Sequence, residues 1–223
     1  MKISIEDRIE QRILEAIAER RLPPGAKLGE QLLSDIFTCN RANVRRALAS
    51  LAAQNVVDLI PNRGAFVISP SPRDAKDVFQ ARRAIERTIV TAACDHATDT
   101  DLSALADIIA NEDAARDAGD ETQILRLSSE FHLRIADVAG NSVLTRFLTD
   151  LTMRSALIIG LYGHNGPSHC DRDEHRRILA ALAARDKAQL IAEMERHLSH
   201  LEADLDFSRL SEKQVPLEEI LQP

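Results

Sequence analysis

Three histidines give this chain its most direct indication of chemistry, because each falls on the apolar side of a different predicted helix. They are His132, His175 and His197. Imidazoles from separate helices that turn towards one interior can converge on Zn²⁺ or a similar divalent metal and leave coordination positions open. A lone histidine on an apolar face is more often a satisfied core residue. The pattern across three helices nevertheless predicts a divalent metal site.

Three further polar residues interrupt predicted apolar faces: Arg82, Ser128 and Arg154. A buried guanidinium requires an internal acid or a bound anion to neutralise it. A divalent metal beside two arginines is typical of a receptor for a small carboxylate. We therefore expect these three residues to contact a small organic or sugar acid. The alternative, in which an inward arginine pairs with a structural glutamate such as Glu86, stays open.

A second group of charged residues lies in CNRANVRRALASL, residues 39–51, where Arg41, Arg45 and Arg46 fall on one arc of a predicted helix. No acidic residue lies between Asp35 and Asp58 to balance them. The planar guanidinium can donate two hydrogen bonds to the O6 and N7 atoms of guanine. The arc therefore predicts a helix that contacts DNA, although a solvated basic face would show the same arginines.

The elements around these arginines favour DNA binding. Three helices followed by a hairpin form a winged helix-turn-helix, in which the second helix of the helix-turn-helix enters the major groove. Residue periodicity, the break at RLPPGAKL and a possible N-cap at Asn40 define these elements. The helices are predicted at 4–20, 29–37 and 40–54, and the two strands of the wing at 56–60 and 65–68.

The turn of the wing adds two candidates. Arg63 at the tip can enter the minor groove or meet phosphate, and Gly64 allows a tight turn. A plain hairpin turn would also use this glycine. The full set of predicted DNA-binding residues is Asn40, Arg41, Arg45, Arg46, Arg63 and Gly64.

The remainder of the chain reads as helices with short connections, which predicts an antiparallel bundle of about six helices and a mainly α fold. The two prolines of SPSPRD favour an extended linker before it. Residues 1–73 carry 11 Lys and Arg against 8 Asp and Glu, which leaves 17 against 27 for the rest. The predicted domains are 1–68 for DNA binding, a linker at 69–74, 75–207 for effector binding and dimerisation, and a tail at 208–223 without an assigned function.

Composition excludes several classes of protein. The chain has 223 residues, and none of its apolar runs approaches the ~18 residues of a membrane span. Its N-terminus lacks the apolar core of a signal peptide. Three cysteines without C-x-x-C spacing indicate neither a disulfide framework nor a thiolate zinc site. We expect a cytoplasmic protein with reduced thiols and no membrane partner.

Residues 22–67, nearly the whole first domain, contain a P-P-G turn, an R-x-x-V-R-x-A-L core and an N-R-G wing. With these motifs the segment resembles the DNA-binding domain of GntR-family bacterial transcription regulators. The resemblance implies DNA contacts by Arg41, Arg45 and Gly64. The chain departs from the usual family pattern at Asn43, which replaces a proline, and at Arg46, which replaces an acid.

The bundle resembles the FCD domain of the FadR-like subgroup, on the segments FQARRAIERTIVTAA, EFHLRIADVAGNSVL, LTMRSALIIGLYG and DEHRRILAALAARDKAQLIAEMERHL. The resemblance implies an effector pocket, a homodimer and, in many members, a divalent metal on the positions of His132, His175 and His197. The fourth family ligand, an aspartate, corresponds to Ser128. A hydroxyl binds zinc less well than a carboxylate, so we expect weaker metal binding or an oxygen from the effector. The other histidines, His96, His164, His169 and His200, are interpreted as structural or solvated.

The sequence thus predicts a homodimeric transcription regulator, more specifically a repressor, and no enzyme. Two winged helices would contact a pseudo-palindromic operator in double-stranded DNA. A small anionic metabolite in the bundle would control operator affinity. The alternatives are a metal-dependent hydrolase built on the three histidines and a nonspecific DNA-binding protein with an inert bundle.

Overall fold

The computed structural model describes residues 4–19, 21–163, 172–208 and 217–221. The chain forms two compact units, one comprising Met1–Ser71 with Phe207–Pro223 and the other Pro72–Asp206. The helices are α1 (Ile5–Ala18), α2 (Glu30–Ile36), α3 (Arg41–Ala53), α4 (Pro72–His96), α5 (Asp99–Ala118), α6 (Glu121–Ala139), α7 (Ser142–Tyr162), α8 (Glu174–Ala183), α9 (Lys187–Ala203) and α10 (Leu217–Leu221). The strands are β1 (Lys27–Leu28), β2 (Val57–Ile60) and β3 (Gly64–Val67).

The first unit is a winged helix-turn-helix, as the sequence predicts. The Ser4 hydroxyl accepts a hydrogen bond from the Asp7 amide at the start of α1, and the Asn40 side chain accepts one from the Asn43 amide at the start of α3. These caps satisfy backbone donors that have no partner inside the helix. They therefore fix where both helices begin.

The predicted two-stranded hairpin is present as β2 and β3, and a third strand that was not predicted, β1, pairs with β3. The antiparallel order is β1-β3-β2, with Lys27 opposite Phe66 and Leu28 opposite Ala65. Gly25 at φ +74° turns the chain after the prolines, and β1 follows two residues later. A strand of two residues is too short to show the alternating pattern by which strands are recognised.

The end of the chain belongs to the first unit. The helix α10 contacts α1 and α2, and its Ile220 and Leu221 are buried. The Arg21 guanidinium donates to the Ile220 carbonyl oxygen. The tail 208–223 carries no function predicted from the sequence, and its residues 209–216 and 222–223 lie outside the described part of the chain.

The described residues of the second unit, 72–163 and 172–206, form the six helices α4 to α9, in agreement with the predicted number. The helix α4 begins at Pro72, so the connection between the units is shorter than the predicted linker at 69–74. It packs against α6, α7 and α9 around a core that includes Phe79, Phe131 and Leu198. In the described residues, we find no helix with the length and hydropathy needed to cross a bilayer.

Candidate functional site

The second unit brings together the three histidines that the sequence singles out. His132 lies on α6, His175 on α8 and His197 on α9, and each is at most 2% exposed. One ring nitrogen from each lies within 4.8 Å of the other two. Helical periodicity explains this convergence, because each histidine occupies an inward position of its own helix.

Each histidine is held by a buried glutamate, a feature that was not predicted from the sequence. The Nδ1 atom of His132 lies 2.6 Å from Glu86, that of His175 lies 2.7 Å from Glu112, and that of His197 lies 2.8 Å from Glu174. Carboxylates in this position orient imidazoles that bind metals and increase their basicity. The one available signal was the placement of glutamates on apolar helix faces.

These contacts determine which ring nitrogen carries the proton. An ionised carboxylate only accepts hydrogen bonds, so each Nδ1 must be the donor, and a neutral ring then presents a lone pair at Nε2. The Nε2 atoms of His132 and His197 lie 3.1 Å apart. The buried Nε2 of His175 has no hydrogen-bond partner among the described residues. Each of the three rings therefore has an Nε2 lone pair available inside the cluster, where one nitrogen of each ring lies within 4.8 Å of the others.

The pKa values agree with neutral imidazoles beside charged glutamates. Burial disfavours the imidazolium, which lowers the pKa of His132 and lowers that of His197 to about 3. Burial is the largest single effect on Glu86 and opposes its ionisation, but the charge of Arg82 and the hydrogen bonds from Arg82 and His132 together outweigh it and lower the pKa to about 2. For Glu112, burial is again the largest effect, and the contacts with His175 and Arg116 together outweigh it and lower the pKa to about 2.

This arrangement fits a divalent cation. Two nitrogens bound to one tetrahedral Zn²⁺, each ~2.0–2.1 Å from it, lie ~3.3 Å apart. The 3.1 Å separation between His132 and His197 is close to that value. A cation shared by the three Nε2 atoms also removes the repulsion between facing lone pairs. Three protein ligands leave at least one position open.

Arg82 is buried in the same unit, as predicted. Its Nε donates to Glu86 at 2.8 Å, and its Nη1 donates to the Ser155 hydroxyl at 2.8 Å. The internal pairing with Glu86, left open by the sequence, is therefore present. Glu86 contacts Arg82 through Oε1 and His132 through Oε2, so one carboxylate connects the arginine to the histidine cluster.

The other two effector candidates lie in different surroundings. Ser128 is partly buried, one helical turn before His132 on α6. Arg154 does not point inward as predicted: its side chain is 42% exposed and pairs with Asp150 at 2.8 Å. The reason is that α7 carries two apolar faces, and the predicted face includes Phe147, which is 59% exposed. The inward face carries Thr152 and Ser155 instead.

The first unit exposes the predicted arginine arc. Arg41, Arg45 and Arg46 of α3 are exposed, with the small exposed residues Ala42 and Ala49 on the same side. The opposite face of α3 is buried. It consists of Val44, Ala47, Leu48 and Leu51.

The remaining candidates of this unit have defined local roles. Asn40 caps α3 and is exposed at its N-terminus. Arg63 is exposed in the β2–β3 turn, with its guanidinium 5.5 Å from the centre of the Phe66 ring. Gly64 adopts φ +102°, a conformation that side chains rarely tolerate.

The other histidines lie apart from the ring cluster where they are described. His96 is exposed at the end of α4. His200 is 49% exposed in its side chain, and its Nδ1 lies 2.9 Å from the second oxygen of Glu174. His164 and His169 lie outside the described residues.

Comparison with known proteins gives this architecture a family. The model for bacterial regulatory proteins of the gntR family matches residues 5–67, and the FCD domain model matches residues 77–200, which is more than half of the chain. Among curated proteins, the transcriptional regulator LutR of Bacillus subtilis is 26% identical over 83% of this chain and 94% of its own length. The transcriptional repressor NanR of Edwardsiella tarda is 26% identical over 87% of this chain and 83% of its own.

Solved structures show the same fold. The Escherichia coli protein McbR/YncC superposes with a TM-score of 0.72 over 91% of this chain and 97% of that one, at 23% identity. A putative GntR regulator from Rhodococcus gives 0.70 over 89% and 95%, also at 23% identity. The two family matches and the relatives agree on regulators, not enzymes. The chain therefore belongs to the GntR family of bacterial regulatory proteins, with an FCD domain after its winged helix-turn-helix, and it is a DNA-binding transcription regulator.

Proposed function

We propose that this chain is a homodimeric repressor whose operator affinity is controlled by a small anionic metabolite bound at a divalent metal on His132, His175 and His197. The observation that carries the proposal is the convergence of one ring nitrogen from each of three histidines, on rings whose Nδ1 atoms are all held by buried glutamates. A cluster with only a structural role would not need to direct three lone pairs at one point.

Charge explains why the guest should be an anion. Three buried glutamates contact the histidines, and two buried arginines contact those glutamates: Glu86, Glu112, Glu174, Arg82 and Arg116. The partly exposed Arg177 also pairs with Glu174 at 3.9 Å, so with neutral imidazoles the cluster has about as many guanidiniums as carboxylates. A divalent cation would make the cluster positive, so that a negative charge on an incoming organic or sugar acid is favoured. The bound metal would act as a Lewis acid for one carboxylate oxygen of that guest.

The residues proposed around the guest are Arg82 and Ser128. Arg82 already shares Glu86 with His132, so an anion that contacts its guanidinium also perturbs the support of a metal ligand. Ser128 replaces the family's aspartate and adds no negative charge to the metal site. A neutral residue here favours an anionic effector, because the effector oxygen can take the place of the missing carboxylate.

The homodimer is proposed from the outer face of α7. Val143 and Phe147 lie one turn apart on this helix and are 49% and 59% exposed. Large apolar side chains grouped in this way are typical of interaction surfaces. A second copy of the chain could cover them through a two-fold interface, and two winged helices would then contact the two half-sites of a pseudo-palindrome.

Control of DNA binding then follows from linkage. The effector can change operator affinity only by the difference between its affinities for the DNA-binding and the non-binding state. The role of repressor is proposed from relatives such as NanR, which is named a repressor.

A thermal-shift screen tests this function. Organic and sugar acids are added to the full chain with zinc and with a chelator, and each hit is then tested for its effect on binding to an enriched DNA duplex. A free acid at ~100 times its Kd adds ~2.7 kcal/mol to the free energy of unfolding. We expect stabilisation that depends on zinc and is lost in His132→Ala but kept in His96→Ala. Stabilisation unaffected by the chelator and by His132→Ala would contradict the proposal.

The hydrolase alternative gains no support. The relatives that cover most of the chain are named as regulators, and an enzyme would leave the winged helix-turn-helix without a role.

A further inference from the structure

Every arginine on the exposed arc of α3 is held by a side chain from α1 or α2. Arg41 donates through Nε to the Gln31 amide oxygen at 2.8 Å. Arg45 donates through Nε to Glu30 at 2.8 Å. Arg46 donates through Nε to Glu6 at 2.9 Å. The arginines that would contact DNA are thus already engaged in the free protein.

Two of these three partners are charged. Gln31 is neutral, whereas Glu6 and Glu30 each bring a carboxylate to the exposed side of α3. Glu6 also accepts a hydrogen bond from the Asn43 side chain at 3.1 Å, and the hydrogen bond from Arg46 lowers the pKa of Glu6. The arc therefore presents three positive and two negative charges.

The ion pairs Arg45–Glu30 and Arg46–Glu6 are exposed to solvent, so DNA phosphates can compete for their arginines. Side-chain exposure is 64% and 38% for Arg45 and Glu30, and 62% and 22% for Arg46 and Glu6. Exposed ion pairs are weak and easily screened. Phosphates can therefore displace the carboxylates from the arginines, but the carboxylates stay tethered close to the DNA backbone and repel it.

We propose that Glu6 and Glu30 are specificity-determining residues, which reduce the affinity of the protein for DNA of any sequence and so increase its preference for the operator. The inference rests on the proposed contact of α3 with DNA. Nonspecific binding comes almost entirely from phosphate neutralisation, so two counter-charges on the arc weaken it directly. At the operator, base contacts from the arginines compensate for the same repulsion.

The sequence contains a sign of this arrangement. Position 46 carries an arginine directly after Arg45, so two positive charges stand side by side on α3. An additional arginine without a partner would strengthen binding to all DNA. Glu6, placed on a different helix 40 residues earlier, restores the charge balance at that point.

The test compares Glu6→Gln and Glu30→Gln with the wild type, all as full chains. Binding is measured from about 50 to 200 mM KCl on a random-sequence duplex and on a duplex enriched from a random pool by the wild-type protein. The matched control is Glu130→Gln, which removes the same charge from an exposed pair with Arg126 in the other unit. Thermal denaturation of each variant checks that the fold is retained.

We expect either substitution to strengthen binding to random DNA by ~2- to 5-fold, the scale of one exposed ion pair. The slope of log K against log salt should steepen by ~0.9 for each additional phosphate that the arginines neutralise. The ratio of enriched to random affinity should fall, and Glu130→Gln should change neither quantity. Equal weakening on both duplexes, or no change on random DNA, would overturn the inference.

The variant Arg45→Ala distinguishes two ways in which the inference could be wrong: Glu6 and Glu30 do not affect DNA binding, or α3 does not contact DNA. If Arg45→Ala weakens binding while both glutamine variants match the wild type, the counter-charge inference is wrong and the interface stands. If Arg45→Ala leaves binding to both duplexes unchanged, α3 does not contact DNA and both proposals are wrong.

Discussion

Glu86 accepts a hydrogen bond from Nδ1 of His132 at 2.6 Å inside the second unit, where both side chains are at most 1% exposed. The pair fixes the proton on Nδ1 and turns Nε2 towards His197. Glu86 also accepts a hydrogen bond from Arg82, so an anion that moves the Arg82 side chain would also change the hydrogen bond between Glu86 and His132. The contact explains how recognition of an acid and binding of a metal could be coupled in one site.

Glutamine substitution at the supporting glutamates should weaken metal binding. Loss of a carboxylate that orients a metal-binding histidine typically lowers metal affinity by ~10- to 100-fold. We expect this range for Glu86→Gln and for Glu174→Gln. The second variant leaves the buried arginines Arg82 and Arg116 with their carboxylate partners, so it should retain the fold more securely. Competition with a chromophoric zinc chelator measures the affinity. Glu130→Gln is the surface control, and equal affinities in all three variants would contradict the assigned role.

Arginine 45 should contribute to sequence preference. Arg45→Ala is expected to lower affinity for an enriched duplex by ~1–3 kcal/mol and to relax base preference at one position in each half-site. Arg126→Ala, an exposed arginine of the second unit, provides the control. Repeating the duplex selection with the variant checks the base preference. A uniform loss on enriched and random DNA would assign Arg45 to phosphate contact alone.

The wing turn should depend on glycine at position 64. Gly64→Ala places a side chain at φ +102°, which costs ~1–3 kcal/mol of backbone strain, although the added Cβ meets nothing closer than Lys27 at 3.9 Å. Gly29→Ala is the matched control, because Gly29 has φ −69° and its Cβ would make an ordinary contact with Leu32. Chemical denaturation measures the free energy of unfolding of both variants. Equal values would contradict the prediction, because they would show that the turn accepts alanine at position 64 without strain.

The C-terminal helix should stabilise the DNA-binding unit. Leu221→Ala is expected to lower the free energy of unfolding by ~2–3 kcal/mol, towards the low end for buried leucines, because a helix of five residues can shift to fill part of the cavity. The exposed Glu218→Ala is the control. Unfolding is followed by circular dichroism, which reports on the helices of the whole chain, and by the fluorescence of the single tyrosine, Tyr162, which reports on the second unit. If Leu221→Ala shifts the unfolding transition equally in both signals, its effect is not confined to the DNA-binding unit.

The spacing of apolar residues in the sequence was sufficient to predict the longer helices. The cap at Asn40, the arginine arc of α3 and the inward histidines all follow from residue type and helical spacing. These features are local, so no knowledge of distant partners is needed to predict them. The same holds for the family resemblance, which depends on short sequence motifs.

Other features depend on contacts that spacing does not encode. The apolar faces that carry Glu112 and Glu174 do not show which residues these glutamates contact, and only the packing of α5, α8 and α9 brings them to histidines. Arg154 was misplaced because α7 has an apolar face on each side. The strand β1 and the helix α10 are too short to show any period, and tertiary pairing defines them.

Metal titration of the full chain tests the central claim most directly. Zinc is titrated calorimetrically into chelator-treated protein, with His175→Ala and His96→Ala as the paired variants. We predict one ion bound per chain in the wild type and in His96→Ala, and none at comparable affinity in His175→Ala. Absence of binding in the wild type, or the same binding in all three proteins, would contradict a metal centre on His132, His175 and His197.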